Sequence, residues 1–440
     1  MTLDRTRRSP GLDALRARFA PLLARVAEGA LRRELDHELP VEEVALLKQA
    51  GLGAVRVPVE HGGAGASLAD LTQLWIDLAA ADNNLAQAFR GHAAFAEDRL
   101  WQHARHGGQE HWFARFVAGE IAGNAWSEVG ATAIDTQGTV LRRDPEAGPG
   151  AYRLDGTKFY TTGTIFAEWA DVYVRLDDPG ELDGNVAGPD GAPGRFAIAL
   201  VRTDQPGVSV HDDWEGFGQQ GTGSGTAVFS GARVEAADVW PFAERFGYQT
   251  ALYQLNLLAT LTGIGRAALG DVVEHVRRRE RTYSHANAPR VRDDAQVLAR
   301  VGEIASAVYA AEAVTLRVAD ALDEAFAAAT LGADEAARRD EVAELESSAA
   351  QVVVTELMLR ATSDLFDTLG ASAVARTAGL DRHWRNARTV ASHNPRILKA
   401  RVVGDSVVNG AAPPYAWAIG TTERDRPWER APLPVVPTAG

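Results

Sequence analysis

The first 118 residues carry apolar positions at intervals of three and four, which is the spacing of one buried helical face. Pro40 at a first helical position, with Gly51 past the end, predicts a short helix. Ser67 predicts the N-cap of the next helix. The apolar positions of that helix and of the one after it are Leu68, Leu71, Leu74, Trp75 and Leu78, then Leu85, Phe89, Ala93, Phe95 and Leu100. We therefore expect an N-terminal helical domain over residues 1–118.

Near Gly119 the pattern changes from a helical period to short runs that alternate or are rich in β-branched residues, separated by turn residues. These runs predict strands at 138–141, 151–154, 172–176, 196–201 and 207–210. The stretch 177–194 is rich in Gly, Pro and Asp and is expected to form a mobile loop. A β domain over residues 119–235 follows from this pattern.

From Phe246 onward, long segments rich in Ala, Leu, Arg and Glu predict helices at roughly 247–284, 291–329 and 336–374. Each buries one apolar stripe, so they should pack together as a bundle. Prolines accumulate after Gly410 and predict an extended tail. The expected fold class is α+β and mainly α, with a C-terminal four-helix bundle and tail over residues 236–440.

Composition excludes several kinds of function. The chain has no cysteine, so it cannot use disulfides, thiolate nucleophiles or Cys-ligated metal centres. A net charge of −14 argues against nucleic-acid binding, which normally requires a basic surface. We see neither an apolar run long enough to cross a membrane nor a secretory signal, which favours a cytoplasmic protein.

Two glycine patterns resemble nucleotide-binding motifs, and one group of histidines resembles a metal site. The residues around them do not favour either function. Residues 216–221 fit G-x-G-x-x-G, but a strand-like run follows where a nucleotide fold needs a helix. Residues 263–268 follow a helical run instead of a strand, so both patterns predict turns or close packing and no nicotinamide site. His103, His106 and His111 favour a solvated helix end over a metal site, and we expect no metal.

The segment from Asp381 to Gly410 contains the strongest candidate for catalysis. Pro395 restricts Asn394 to extended geometry, so His393 should lie at a tight corner between two helical segments. An imidazole on a rigid corner is suited to general acid–base catalysis. The alternative is an ordinary turn with an exposed histidine.

This segment resembles the C-terminal signature of flavin-dependent monooxygenases with the acyl-CoA dehydrogenase fold, of the dibenzothiophene monooxygenase and sulfone-utilisation type. In the parent dehydrogenases the matching segment reads approximately R-D-A-K, then Y-E-G-T, and its Glu is the base that removes the substrate α-proton. Here residues 385–388 take the first part and residues 392–394 the second, with no carboxylate at the position of the base. The order of helices, β domain and helical bundle also agrees with that family.

Three segments of the β domain resemble the flavin site of this family. The first segment is residues 123–128. Its resemblance implies that Asn124 lines the site and that Trp126 and Ser127 lie along the pyrimidine edge of the flavin. Val129 departs from the usual proline there. The other two segments, residues 156–163 and 213–218, imply a flavin-binding hydroxyl at Thr162, an aromatic contact from Tyr160 and a covering Trp214. Without the resemblance, these segments indicate ordinary strand ends and a core tryptophan.

The resemblance also implies residues outside the β domain. His92 would face the flavin beside His393, although a packed histidine is an equal alternative. Arg281 would grip the flavin phosphate from a neighbouring subunit by a bidentate contact, with Arg278 and Arg279 as competitors. Gly370 lies in the loop that holds the adenosine half of FAD in the dehydrogenases. That loop is altered here, which favours FMN, with FAD possible. Asn394 is expected to contact the cofactor, and Phe95 to join the tryptophans as a wall.

The implied function is that of a two-component monooxygenase. A separate NAD(P)H:flavin reductase would supply FMNH2, and a flavin C4a-hydroperoxide would pass oxygen to sulfur, nitrogen or carbon of a small apolar substrate. His393, His92, Thr162 and Asn124 would be catalytic in a homotetramer. The alternatives are an FAD-dependent acyl-CoA dehydrogenase-like oxidoreductase, which an anaerobic test for flavin bleaching by acyl-CoA would identify, and a scaffold without flavin.

Overall fold

A computed structural model of the chain describes residues 10–128, 137–147, 150–177 and 196–414. Residues 178–194 of the predicted loop, Val129 and most of the proline-rich tail lie outside the described residues. The helices are α1 Pro10–Asp36, α2 Val41–Gln49, α3 Leu68–Ala81, α4 Asn83–Ala88, α5 Arg90–His106, α6 Glu110–Val117, α7 Gln249–Arg278, α8 Ala295–Ala327, α9 Ala333–Asp364, α10 Asp381–Ser392 and α11 Arg396–Asn409. The strands are β1 Ala122–Ala125, β2 Val140–Arg143, β3 Ala151–Lys158, β4 Trp169–Leu176, β5 Phe196–Arg202, β6 Val208–Val210, β7 Ala227–Glu235 and β8 Val239–Pro241.

The predicted N-terminal helices are present, with one break. Ser67 caps α3 as expected, since its hydroxyl accepts from the Asp70 N–H while the Asp70 carboxylate accepts from the Ser67 N–H. The single helix predicted over residues 85–100 is wrong, because Phe89 (φ −82°, ψ −1°) forms a turn that separates α4 from α5. Spacing did not reveal the break, since buried apolar residues continue on both sides of it.

The described strands form one mixed sheet in the order β6-β7-β3-β2-β4-β5-β8, with β1 pairing to β4. The β1–β4 and β2–β4 pairs are parallel, and the other pairs are antiparallel. Strand β4 is buried almost throughout. One of its faces belongs to the sheet's own core, and the other packs against aromatic residues of α5 and α6. The sheet is therefore covered by helices where β1 ends, and it is here that the candidate site lies.

The C-terminal helices form a bundle in which α7, α8 and α9 pack on one another, and α7 and α8 also pack on α3. One continuous apolar core joins them to α1 and α10. The third predicted helix, 336–374, is too long, because α9 ends at Asp364 and short 3-10 turns continue to Ala378. Among the helices that the structure describes, none combines the length and the apolar character that crossing a membrane requires.

Candidate functional site

The corner predicted around His393 is confirmed. Helix α10 ends at Ser392 and α11 begins at Arg396, so residues 393–395 form the turn between them. The Asn394 side-chain amide donates to Gln254 Oε1 of α7 at 2.8 Å, and the Asn394 carbonyl accepts from Gln351 Nε2 of α9 at 3.1 Å. Asn394 therefore ties the corner to two helices of the bundle. Its contact with a cofactor stays a prediction.

His393 forms its shortest side-chain contact with Arg90 on α5. The distance from Arg90 Nη2 to His393 Nε2 is 2.9 Å. A guanidinium only donates hydrogen bonds, so Nε2 must be the acceptor and the ring proton must lie on Nδ1. Nδ1 lies 3.5 Å from Asn394 Oδ1, which leaves its N–H weakly engaged.

This contact changes the expected protonation of His393. Burial and the positive charge of Arg90 both lower the pKa of His393. The residue as a whole is exposed, so the desolvation is partial, and the direction rests mainly on Arg90, because one cation disfavours a second beside it. We expected an imidazole that takes and gives a proton near neutral pH. The structure instead places a neutral imidazole there.

Arg90 itself is buried, with 5% of its surface exposed. Its guanidinium lies over the ring of Tyr253 on α7, 5.0 Å from the centroid. Arg90 Nε and the Tyr253 hydroxyl have no hydrogen-bond partner among the described residues. Burial lowers the pKa of Arg90 to about 10 and raises the pKa of Tyr253 above its ordinary value, so both stay protonated donors at neutral pH.

Sequence reasoning missed both Arg90 and Tyr253. A signal for Arg90 was available: on a helix its neighbours at three and four positions are Ala93 and Ala94 on one side and Ala86 and Gln87 on the other. An arginine among alanines has no local carboxylate partner. Tyr253 gave no comparable signal, since an aromatic at a helical spacing usually belongs to a core.

His92 does not contact His393 in this structure, and its orientation toward the flavin stays a prediction. Its Nε2–H donates to the Gly53 carbonyl at 2.8 Å, and its Nδ1 accepts from the Ala122 N–H at 3.2 Å. The ring is 3% exposed, and burial lowers its pKa to about 4. Both nitrogens serve backbone groups, so His92 joins α5 to β1 and to the turn after α2.

Asn124 and Thr162 are brought together where β1 meets the junction between α4 and α5. The Asn124 N–H donates to the Thr162 carbonyl at 3.3 Å. A Cβ on Gly91 would lie 2.7 Å from the Asn124 nitrogen, so only glycine allows this approach. Asn124 Oδ1 is buried without a hydrogen-bond partner among the described residues. The arrangement leaves a polar acceptor beside the residue that follows Arg90.

Thr162 begins a chain of three buried hydroxyl groups whose direction is fixed. Thr222 Oγ1 donates to the Gln219 carbonyl at 2.8 Å, which can only accept. Ser224 Oγ, 2.7 Å from Thr222 Oγ1, must then donate to Thr222, and Thr162 Oγ1 must donate to Ser224 at 2.8 Å. The Thr162 hydroxyl thus donates its hydrogen bond to Ser224. Its oxygen lone pairs remain able to accept a hydrogen bond from a ligand.

A buried ion pair holds the end of β1 in place. Lys158 is fully buried and donates to Glu128 Oε1 at 2.7 Å and to the Trp126 carbonyl at 3.2 Å. Burial lowers the pKa of Lys158 to about 8, while Glu128 opposes that shift. Ser127 Oγ accepts from the Tyr160 N–H at 2.9 Å, so the hydroxyl proton of Ser127 stays available.

The Trp126 side chain is held by contacts with both the sheet and the helical bundle. Its indole N–H donates to Asp171 at 2.9 Å, and its ring meets Tyr253 edge to face at 5.5 Å. Trp126 and Arg90 therefore contact the same tyrosine. The structure thus connects the predicted flavin segment of β1 with the His393 corner through Tyr253.

Two aromatic pairs lie beside these groups. Tyr160 meets Trp214 edge to face at 5.4 Å, and the Trp214 indole N–H donates to the Gly218 carbonyl. Phe217 stacks against Trp384 of α10 at 6.1 Å. The Tyr160 and Trp214 segments therefore lie in contact, and the binding of a flavin by these two side chains stays a prediction. Phe95 is not a wall of this site: it is fully buried against Trp112 and Phe116.

Arg281 and Gly370 lie at the opposite end of α7 from Tyr253. From Tyr253 to Arg278 the helix rises about 38 Å, farther than one FMN molecule reaches. The side chain nearest Gly370 is that of Arg279, since a Cβ there would lie 2.8 Å from Arg279 Nη2. Arg281 is exposed, and its carbonyl accepts from Arg279 Nε. Within one chain these residues cannot serve a flavin at Thr162.

Neither glycine pattern lies in a nucleotide-binding turn. Residues 216–221 form a loop against α10, where a Cβ on Gly218 would lie 2.5 Å from the Arg385 carbonyl. Residues 263–268 lie inside α7, packed on α3 and α9. Both serve close packing, as the sequence indicates. In the part of the chain that the structure describes, no three His, Asp or Glu side chains gather as metal ligands.

Comparison with protein families agrees with this architecture. Residues 12–120 match the N-terminal domain of acyl-CoA dehydrogenases, and residues 256–395 match the C-terminal domain. Together the two matches cover more than half of the 440 residues.

Individual relatives narrow the comparison. The chain is 26% identical to dibenzothiophene monooxygenase of Rhodococcus erythropolis, over 83% of this chain and 86% of the relative. It is 27% identical to the probable FMNH2-dependent monooxygenase SfnC of Pseudomonas putida, over 89% and 94%. FMN-bound TdsC of Paenibacillus sp. A11-2 superposes with a TM-score of 0.80 at 26% identity, over 93% and 99%. With both characteristic domains in order around the central sheet, the chain belongs to the acyl-CoA dehydrogenase family.

Proposed function

We infer that this chain is an FMN-dependent monooxygenase, an oxidoreductase that uses reduced FMN and O2 to oxygenate a small organic substrate. The observation that carries this conclusion is the group at the α10–α11 corner. A dehydrogenase of acyl thioesters needs a strong base there, whereas His393 is a neutral imidazole that accepts from Arg90. Dibenzothiophene monooxygenase, SfnC and FMN-bound TdsC match along most of the chain, and they support the monooxygenase rather than the dehydrogenase alternative.

The residues at the end of β1 fit a reduced flavin. Thr162 Oγ1 offers a lone pair, which suits a ligand ring that carries N–H groups. The buried Asn124 Oδ1 offers a second acceptor, and the Ser127 hydroxyl offers a donor. Trp126, Tyr160 and Trp214 supply flat apolar surface next to them. This mixture of acceptors, one donor and aromatic faces is what a flavin ring requires.

We propose that the phosphate is bound by a second copy of the chain. Arg281 and Gly370 are too far from the ring site of their own chain to reach it, yet both adjoin Arg279, and Arg281 is exposed. A guanidinium fork suits phosphate oxygens. The proposed assembly is a homotetramer in which each flavin is held by two subunits.

When bound, reduced FMN would supply the two electrons with which O2 gives one oxygen atom to the substrate and the other to water. The protein's task is to control protons and exclude water. Arg90 holds His393 Nε2 as an acceptor, so the Nδ1–H is the group that can donate toward the reacting oxygen. Trp126, Tyr160 and Trp214 would shield that atom, because water in the site would divert oxygen to hydrogen peroxide.

The electrons would come from a separate NAD(P)H:flavin reductase, which makes this the oxygenase half of a two-component system. The glycine patterns support this, since both serve packing. With neither a basic surface nor a segment fit for a membrane indicated by the sequence, we propose a cytoplasmic protein. O2 and a small molecule would be its substrates.

The test is product analysis with and without the reductase. Purified protein, FMN, NADH and O2 would be incubated with a panel of thioethers, amines and phenols, and products identified by mass spectrometry. We expect an oxygenated product that carries one atom from 18O2, and only when a reductase is added. Product coupled to NADH oxidation by the protein alone would overturn the two-component proposal. Flavin bleaching by acyl-CoA in the absence of O2 would overturn the monooxygenase.

A further inference from the structure

Arg90 differs from every other buried cation among the described residues. Those with less than a tenth of their surface exposed are Arg33, Arg90, Arg99, Arg245, Lys158 and Lys399. All except Arg90 form an ion pair with a carboxylate: the partners of the other five are Asp82, Asp98, Asp171, Glu128 and Glu344. The described contacts of Arg90 are neutral, namely the His393 ring and the Tyr253 face.

A buried cation without a counter-charge is costly, because desolvation disfavours the charged form. The lowered pKa of Arg90 has burial as its main cause. A guanidinium nevertheless keeps its proton at neutral pH, so the charge persists and requires compensation. Part of its donor capacity is also unused, since Nε has no partner in the described part of the chain.

We propose that Arg90 binds an anionic group of the substrate, a carboxylate, sulfinate or sulfonate. This rests on the proposed function only for the location of the substrate, beside His393. The Tyr253 hydroxyl, buried and unpartnered among the described residues, would be the second donor to that group. The substrate would then combine an apolar body with one negative charge, and this charge would fix the distance between the oxidised atom and His393.

The test is a binding measurement that needs no turnover. The protein, loaded with oxidised FMN, would be titrated with 4-(methylthio)benzoate and with 4-(methylthio)benzamide, which share shape and differ in charge. Acetate and acetamide would form a second, smaller pair. We expect the anion of at least one pair to bind roughly ten- to a hundredfold more tightly, as for a charge-assisted contact. Equal binding within both pairs, or no binding of any member at 10 mM, would overturn the proposal.

Variants assign the preference to Arg90. Arg90→Gln should bring the two affinities within roughly threefold, and Arg90→Lys should retain part of the preference because it keeps the charge. Arg388→Gln removes a cation from α10 without touching Arg90 and should leave the preference unchanged. Circular dichroism would verify folding, and Arg90→Lys keeps the test decisive if Arg90→Gln does not fold.

The experiment must also distinguish the substrate from a second anion that Arg90 could bind, namely the flavin cofactor. If Arg90 compensates the charge of the cofactor, Arg90→Gln should weaken FMN binding and leave no substrate charge preference to lose. That outcome would overturn the proposal. A wild-type charge preference in the absence of any oxygenated product would retain the anion site and reject the monooxygenase, so the two failures are distinguishable.

Discussion

His92 and His393 belong to neighbouring regions of the site, and their ring nitrogens have different partners. Both nitrogens of His92 are occupied by backbone groups of Gly53 and Ala122. His393 accepts from a side chain at Nε2 and keeps a weakly engaged N–H at Nδ1. A histidine whose two nitrogens are already bonded in the core has nothing to offer a substrate. From the partners of these nitrogens we propose that His92 is a structural residue and that His393 is the reactive one.

The largest loss of product is expected for His393→Ala. It removes the Nδ1–H that we propose to assist oxygen transfer, so product formation should fall by on the order of a hundredfold or more. Oxygen should still be consumed and released as hydrogen peroxide, while the fold and FMN affinity change little. Oxygen uptake and peroxide assays would measure this coupling, and His211→Ala, an exposed histidine of the β domain, is the control. Near wild-type coupling would make His393 a turn residue.

Arg281→Ala should produce the next effect, at the subunit boundary. Loss of a charge-assisted bidentate contact costs about 1.5–3 kcal/mol, which is roughly ten- to a hundredfold in FMN affinity. Light scattering should still give a tetramer. Arg317→Ala, which removes an exposed arginine paired with Glu346 on another helix, is the matched control. If FMN affinity is unchanged in Arg281→Ala but reduced in Arg279→Ala, the phosphate contact belongs to the residue that packs on Gly370.

Thr162→Val should have a smaller effect. It keeps the shape of the side chain and removes the acceptor at the end of the hydroxyl chain, at a cost of about 1 kcal/mol, or roughly fivefold in affinity for reduced FMN. Thr161→Val is the matched control, because the Thr161 hydroxyl donates to the Gly225 carbonyl outside that chain. Anaerobic titration of both variants with reduced FMN would decide. Equal affinities would place the flavin away from Thr162.

The sequence predicted structural features correctly where the interactions that determine them are local. The Ser67 cap and the corner at Pro395 depend on residues within a few positions, and both are present. It failed at Phe89, where the apolar period continued across a break. The resemblance also led to the segments of Tyr160 and Trp214, which do come together.

The parts that sequence could not supply depend on pairs distant in the chain. Arg90 and His393 are 303 positions apart, and Thr162 and Ser224 are 62 apart. Which nitrogen of a histidine carries the proton is decided by such partners, so no pattern around His92 could reveal that both of its nitrogens are used. The choice between Arg279 and Arg281 depends on where α7 ends, which spacing fixes only to within a few residues.

The smallest effect on product, and a distinct effect on stability, is expected for His92→Gln. Burial holds the pKa of His92 at about 4, whereas an unfolded histidine titrates near 6.5. Below pH 6.5 the unfolded chain therefore binds a proton that the folded chain refuses. The contribution of His92 to stability is complete above pH 6.5 and is lost as the pH falls toward 4, by roughly 3 kcal/mol.

Glutamine can replace both hydrogen bonds of His92 but does not titrate. Urea unfolding at pH 7.5, 6 and 5 should show a shallower acid loss for His92→Gln than for wild type, with unchanged product per folded enzyme at pH 7.5. The same pH dependence of stability in wild type and His92→Gln, or a loss of coupling between O2 use and product, would indicate that His92 is a catalytic residue.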